Sequence, residues 1–246
     1  MQIFFIDLAT TNLTSQAFEY YVSLLSVEEK TRMERISSVE TRNNFICGRV
    51  LIKTTLAKML GCEAQNVILK ATPNGRLEIE SPLSQLHFNI SHSRSYVVLG
   101  VHNNPIGIDI EYVKNRNFLD IAKYYFTKKE FEILESINSD AERQKIFHYY
   151  WTIKESFIKC NGEQLFNKTR DLECIMDVVG KTIKHNFEHE YQLFTMCFDQ
   201  NYIASIAIKS DLEKIDNRDF IEVQQVTNLQ LGTFITKKID LLFIGP

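Results

Sequence analysis

Two stretches of this chain repeat one pattern. Ile52-Lys53 through Gly61 matches Ile153-Lys154 through Gly162 at an offset of 101 residues. Ser95-Tyr96-Val97-Val98 matches Asn201-Tyr202-Ile203-Ala204 at an offset of 106. Each half runs long helix, glycine stop, strands, hairpin. A chain of this kind is expected to form two pseudo-symmetric α+β subdomains packed side by side. The cleft between them is where a ligand site is expected. The 246 residues leave room for two cores. The expected boundaries are an N-terminal subdomain 1–104, a C-terminal subdomain 105–210 and a tail 211–246. Asn103-Asn104-Pro105 marks the break, and the tail holds strand-like runs at Phe220–Val226 and Leu241–Ile244.

Local signals fill in each half. Ile3–Leu8 reads as a strand, followed by helical stretches over Thr14–Leu25 and from Ser26 onward. Ser26-Val27-Glu28-Glu29 is a capping box, S-x-x-E. A long helix is expected over Val39–Leu60, with Phe45, Ile52, Leu56 and Met59 at helical spacing and Gly61 as its stop. Arg42, Arg49 and Lys53 fall on one face of it as a basic stripe. Leu86–Ser91 alternates strictly and Tyr96–Val101 is apolar, so His92-Ser93-Arg94-Ser95 reads as a hairpin turn. Thr127-Lys128-Lys129-Glu130 is a second capping box, and a further helix runs from about Ala141 to Asn161 and stops at Gly162.

Composition excludes several classes. With 28 Lys+Arg against 31 Asp+Glu the net charge is −3, so no overall basic field points to nucleic acid. The N-terminus lacks a basic region before its apolar run, and no segment approaches the ~18 consecutive apolar residues of a spanning helix. Cys47, Cys62, Cys160, Cys174 and Cys197 are scattered, odd in number and form no CxxC pair. Reduced thiols in a cytoplasmic protein are expected.

The chemistry-bearing residues cluster in the second half. Along Ile106-Gly107-Ile108-Asp109-Ile110-Glu111 the isoleucines point one way and the two acids the other. Two carboxylates this close repel unless a cation lies between them, which suits a hard divalent ion. On the later helix His148, Thr152, Glu155 and Lys159 form one polar stripe, while Phe147, Trp151 and Ile158 form the apolar one. Lys154 falls in the apolar sector, where it snorkels to water or reaches an anion. Asp109, Glu111 and Glu155 make a three-carboxylate set for Mg²⁺. Lys154, Lys159, His92, Arg76 and the Arg42/Arg49/Lys53 stripe are the supporting cations, an arrangement that fits a polyphosphate substrate.

These stretches resemble a known family. FNISHS (Phe88–Ser93), PIGIDIE (Pro105–Glu111), YYFTKKE (Tyr124–Glu130) and WTIKESFIKCNG (Trp151–Gly162) are similar, in order and spacing, to the Sfp-type 4′-phosphopantetheinyl transferases. The resemblance implies a two-subdomain α+β fold that binds coenzyme A and Mg²⁺. It implies transfer of the phosphopantetheine arm of CoA to a serine hydroxyl of an apo carrier protein, acyl, aryl or peptidyl, releasing adenosine 3′,5′-bisphosphate. It makes Asp109, Glu111 and Glu155 the metal ligands. Glu155, or a water it orients, is the base, and Lys159 serves the leaving group. Lys154 and Lys159 contact phosphates, Ser91 and His92 hold CoA phosphate oxygens, and Arg76 and Arg49 add nucleotide contacts. The chain departs from the family's pattern at three places. Glu29 stands where some relatives carry a CoA-contacting lysine, leaving Lys30 or Arg32 to supply the charge. Asn43 and Asn44 fall near positions often basic in relatives, and Gly162-Glu163-Gln164 replaces a Gly-x-Gly.

Two other readings compete: a Mg²⁺-dependent phosphohydrolase or nuclease, and a non-catalytic CoA- or carrier-binding relative. The lysine spacing and acidic balance disfavour the first, and the retained acids disfavour the second. A carrier protein is expected to meet a local basic patch or an exposed apolar surface, and Lys123, Lys128 and Lys129 are candidates for the patch. Neither nucleic acid nor membrane is an expected partner, and a chain holding both halves is expected to work as a monomer.

Overall fold

A computed structural model describes residues 1–11, 14–115, 117–162, 169–177, 182–187, 191–199, 201–209, 220–228 and 233–245. The chain forms two compact α+β units. The first comprises Met1–Asn103 with Glu222–Lys237, and the second Asn104–Ile221 with Lys238–Pro246. The segment expected as a separate tail is therefore divided between the two.

In the first unit β1 (Gln2–Asp7) pairs antiparallel with β5 (Tyr96–His102), which pairs antiparallel with β4 (His87–Ser93). α1 (Ser15–Ser23) and α2 (Val27–Glu34) precede the long α3 (Val39–Leu60). Each helix opens on a side-chain cap, from Thr14, Ser26 and Ser38. Gly61, at φ +66°, closes α3 in the left-handed conformation that glycine enters without a Cβ penalty. The core packs α3, through Ile46, Val50, Leu51 and Ile52, with Phe4, Ile6, Phe88, Val97 and Leu99 of the sheet. A short hairpin, β2 (Ile68–Ala71) and β3 (Leu77–Ser81), follows α3. β11 (Phe220–Asn228) adds to β1 in parallel, Ile3 opposite Val223. That pairing joins residues more than 200 apart and no local signal announces it.

The second unit repeats the plan. β6 (Ile106–Tyr112) leads to α4 (Leu119–Tyr125), α5 (Lys128–Ser136) and the long α6 (Asp140–Asn161). β7 (Cys174–Asp177) and β8 (Thr182–His185) form a hairpin before β9 (Tyr191–Asp199) and β10 (Tyr202–Lys209). β10 lies between β9 and β6, antiparallel to both, with Ser205 opposite Asp109. β12 (Thr233–Gly245) pairs antiparallel with β9 from Leu241 to Gly245. α3 and α6 are each 22 residues long, each opens on a serine cap and each ends at a left-handed glycine, Gly61 or Gly162. α4 has no cap signal in the sequence, and the expected pattern omitted it. No helix among the described residues is long and apolar enough to cross a membrane. The Glu163 and Gln164 departure lies outside the described residues.

Candidate active site

Gly107 determines how closely α6 lies on β6. A Cβ at this glycine would stand 1.9 Å from the carbonyl oxygen of Ser156 and 2.4 Å from the amide nitrogen of Cys160. The helix backbone rests on the strand where Gly107 has no side chain. Gly107, Asp109 and Glu111 share a face, so that face turns toward α6 rather than toward water. The opposite face carries Ile106, Ile108 and Ile110, all fully buried.

The polar stripe of α6 meets this surface. His148 and Thr152 are buried, not solvated. His148 Nδ1 donates to the Gln144 carbonyl at 2.6 Å, since a carbonyl can only accept. Thr152 Oγ1 donates to the His148 carbonyl at 2.9 Å and lies 2.8 Å from Ser205 Oγ, which is 3.0 Å from Thr195 Oγ1. With one proton per hydroxyl, the chain runs Thr195 to Ser205 to Thr152 to His148. It pins α6 to β10 beside Asp109. Sequence spacing placed Thr152 on the stripe but gave no sign of its strand partners, which lie 43 and 53 residues away.

Glu155 and Lys159 project from the next turns. Lys159 Nζ lies 2.6 Å from Asp109 Oδ1, with its side chain 29% exposed and that of Asp109 6%. Burial lowers the affinity of Lys159 for its proton, but the carboxylates of Asp109, Glu155 and Glu111 outweigh it and leave the ammonium above its usual range. Burial also pushes the Glu155 carboxyl up to about 7, with Asp109 and Glu111 raising it and Lys159 partly opposing them. Asp109 and Glu111 therefore lie close enough to Glu155 for their charges to favour its protonated form.

This is the donor set of a hard cation. Among the described residues no three acid, histidine or cysteine side chains form a ready-made metal cage. Mg²⁺ does not demand one, because it keeps waters and shares positions with substrate phosphates while one or two carboxylates hold it. Repulsion among Asp109, Glu111 and Glu155, offset here by a single lysine, is what a divalent ion relieves. The residues fit the ion.

Lys154 is not among these groups. It was expected to reach a phosphate, yet its Nζ lies 2.6 Å from Glu130 Oε2 and donates to the Thr169 carbonyl at 2.9 Å, 2% exposed. Glu130 is fully buried and also accepts the Thr127 and Cys174 amide protons. The lysine is a core counter-ion.

In the first unit the basic stripe on α3 is likewise engaged. Glu29 places Oε1 3.1 Å from Arg49 Nε and Oε2 3.0 Å from Lys53 Nζ, and Lys53 also donates to the Leu24 carbonyl. Arg49 stacks over Phe45 at 4.8 Å. Arg42 donates to the Ile36 carbonyl through two nitrogens. The stripe was expected to bind an anion; its charges are neutralised or used locally instead. Glu29 is the reason, since it both closes the capping box and supplies their counter-charge. Ser91 and His92 are successive strand residues and face opposite sides of the sheet, with Ser91 buried and His92 exposed. Of the two side chains, that of His92 is the exposed one. Arg76 is half-buried at the end of a turn whose Gly75 has φ +82°, and its amide nitrogen donates to Thr72 Oγ1. Lys123 is exposed, while Lys128 and Lys129 form surface pairs with Glu132 and Glu173.

Both halves of the chain match known proteins. Residues 105–207 match the model of the 4′-phosphopantetheinyl transferase superfamily, and residues 12–104 match that of the 4′-phosphopantetheinyl transferase N-terminal region. The chain is 30% identical over 188 residues to the 4′-phosphopantetheinyl transferase HetI of Nostoc, covering 75% of this chain and 78% of that one. It is 32% identical over 153 residues to the 4′-phosphopantetheinyl transferase Sfp of Bacillus subtilis, covering 62% and 67%. It is 31% identical over 225 residues to the mouse L-aminoadipate-semialdehyde dehydrogenase-phosphopantetheinyl transferase, covering 81% and 72%. With helix, strand and acids arranged as above and both halves matched in order, the chain belongs to the 4′-phosphopantetheinyl transferase superfamily.

Proposed function

We propose that this enzyme transfers 4′-phosphopantetheine from coenzyme A to a serine hydroxyl of an apo carrier protein, with its reacting groups on β6 and α6. The observation that carries the reading is the Gly107 contact, which brings Glu155 and Lys159 of one helix onto Asp109 and Glu111 of one strand. Phosphoryl transfer needs charge neutralisation and in-line placement more than covalent help. Asp109, Glu111 and Glu155 would hold Mg²⁺, which when bound neutralises the pyrophosphate oxygens of CoA. Glu155, or a water it orients, would accept the serine proton. Lys159 keeps its proton at neutral pH and sets its charge against the leaving phosphate, releasing adenosine 3′,5′-bisphosphate. His92 and Arg76 contribute cations for the nucleotide phosphates. Lys123, with the outward-facing Lys128, offers the surface an acidic carrier would meet. The enzyme works as a cytoplasmic monomer, without nucleic acid or membrane as a partner.

The test is direct. The protein is incubated with CoA, Mg²⁺ and a panel of apo carriers, and each carrier is weighed intact. Addition of one phosphopantetheine to a carrier serine, dependent on the metal, supports the reading. Unmodified carriers across the panel refute it.

A further inference from the structure

Ser205 is a hydroxyl in an otherwise apolar strand. Its neighbours on β10, Ile203, Ala204, Ile206 and Ala207, are all buried and need no hydrogen-bond partner for their side chains. A buried hydroxyl does need one, because leaving it unpaired is costly. β10 places Ser205 opposite Asp109 of β6 and opposite Thr195 of β9. Residues paired in register share a sheet face, so Thr195, Ser205 and Asp109 form one row across three strands. All three are buried.

Thr152 of α6 meets that row. Its hydroxyl donates to the His148 carbonyl within its own helix, so the 2.8 Å bond to Ser205 takes its proton from the serine. Two contacts of α6 with the sheet then fall on either side of Glu155. Thr152, three residues before it, is bonded to β10. Ser156 and Cys160 come after it, where their backbone rests on Gly107 of β6. The contacts differ in kind. The glycine contact limits how near the helix comes to the strand, and packing of that sort is non-directional. The hydroxyl pair is directional and holds its two oxygens near one distance, so it also fixes where along the row the helix stands.

Glu155 and Lys159 follow Thr152 at i+3 and i+7 on the same stripe, so they take their place from it. A constellation of charged groups functions only when its supports hold it to about 0.5 Å. We propose that Ser205 is a positioning residue for the transfer: through Thr152, its hydroxyl holds Glu155 beside Asp109 in the arrangement in which the two carboxylates take up one divalent ion. This rests on the transferase reading for the reaction, and on α6, β6 and β10 for the geometry.

Thr152→Val is the decisive variant, because valine has nearly the same shape and no hydroxyl. Thr152→Ser keeps the hydroxyl and loses a methyl, and Ser205→Ala removes the other partner. Each is compared with the parent by Mn²⁺ binding, read by electron paramagnetic resonance with no CoA or carrier present, and by steady-state turnover with Mg²⁺. Thr152→Val and Ser205→Ala are expected to weaken Mn²⁺ binding about fivefold or more and to lower kcat about tenfold or more, with KM for CoA within about twofold. Thr152→Ser is expected to keep Mn²⁺ binding and kcat near those of the parent. Thr152→Val combined with Ser205→Ala is expected to lose no more than the worse single variant, because both cut one link. Parent-like Mn²⁺ binding and kcat in Thr152→Val overturn the proposal, whatever its melting temperature, since the hydroxyl pair then only stabilises the fold. A loss in Thr152→Ser equal to that in Thr152→Val overturns it too, because methyl packing would be the cause. Where Ser205→Ala does not fold, the two Thr152 variants decide. If the parent modifies no carrier, the transferase reading fails, while Mn²⁺ binding still decides the role of Ser205. If the parent modifies carriers and Thr152→Val matches it in both readouts, the proposal fails and the transferase reading stands.

Discussion

Lys154 lies 2.6 Å from Glu130, and the pair stands 101 positions after Lys53 and Glu29, which lie 3.0 Å apart. In both units the glutamate is the third residue of a capped helix, its carboxylate also accepts the N-cap amide proton, and the lysine comes from the 22-residue helix that follows. A shared device in two units, only one of which carries the acid cluster, belongs to the architecture rather than to the reaction. It ties a short helix to the long one through a buried ion pair.

Lys154→Met therefore acts on stability. Removing one partner of a buried pair strands the other charge, here the fully buried Glu130, and costs about 3–5 kcal/mol. Lys154→Met is expected to lower the unfolding free energy by that amount in urea, with KM for CoA within twofold of the parent in the fraction that folds. Lys154→Met with Glu130→Gln is expected to recover a large part of the loss. A tenfold rise in KM at unchanged stability would return Lys154 to the phosphate site.

Gly107→Ala tests the contact that assembles the site. The new methyl has backbone on both near sides, Ser156 O at 1.9 Å and Cys160 N at 2.4 Å, so no side chain can swing away. α6 must shift by about 1 Å or more, and a displacement of that size costs roughly 100-fold in turnover. The expected result is at least that loss, with overpacking adding about 1–3 kcal/mol of destabilisation. Near-normal turnover would show that the helix need not sit where it does.

Much of this was readable from the chain because its signals are local. The capping boxes at Ser26 and Thr127, the stops at Gly61 and Gly162 and the strand carrying Asp109 and Glu111 depend on neighbours within four residues. What stayed hidden depends on distant partners. The basic stripe of α3 reads as an open face until Glu29, 20 and 24 residues earlier, closes on Arg49 and Lys53. Ser205 and Thr195 are unremarkable in alternating strands until α6 reaches them. Arg94 stands in a recognisable turn, but its carbonyl accepts from Asn44, 50 residues away.

The raised Glu155 carboxyl gives the metal-free protein an unusual pH profile. Its folded value is about 7 against 4.5 for the unstrained group. Between those values the folded state binds more protons than the unfolded state, so stability falls as pH rises through this window. The ordinary salt-bridged carboxylate does the opposite. The full effect is no more than about 3 kcal/mol, reduced by the partial exposure of Glu155. Urea unfolding in EDTA from pH 4.5 to 8 is expected to show the decline. Glu155→Gln is expected to flatten it and to be the more stable protein at pH 8. A parent and variant with parallel profiles would mean that Glu155 ionises normally beside Asp109.

Asp109→Asn separates the two roles of the buried acid. Asparagine keeps the shape but removes the charge that Lys159 faces at 2.6 Å and that a divalent ion would use. Lys159 loses its strongest support and a ligand charge disappears at once, while repulsion on Glu155 falls. Turnover is expected to drop at least about 100-fold, the size of effect seen when one preorganised charge-stabilising group is lost. The Mg²⁺ concentration for half-maximal activity is expected to rise together with that loss. Lys159→Met should differ in kind. Its positive charge competes with the metal for Asp109, so its removal lowers kcat by leaving the departing phosphate unsupported, yet leaves Mg²⁺ dependence unchanged or tighter. If both variants weakened Mg²⁺ equally, Lys159 would be holding the acid cluster in shape, and its place at the leaving group would have to be given up.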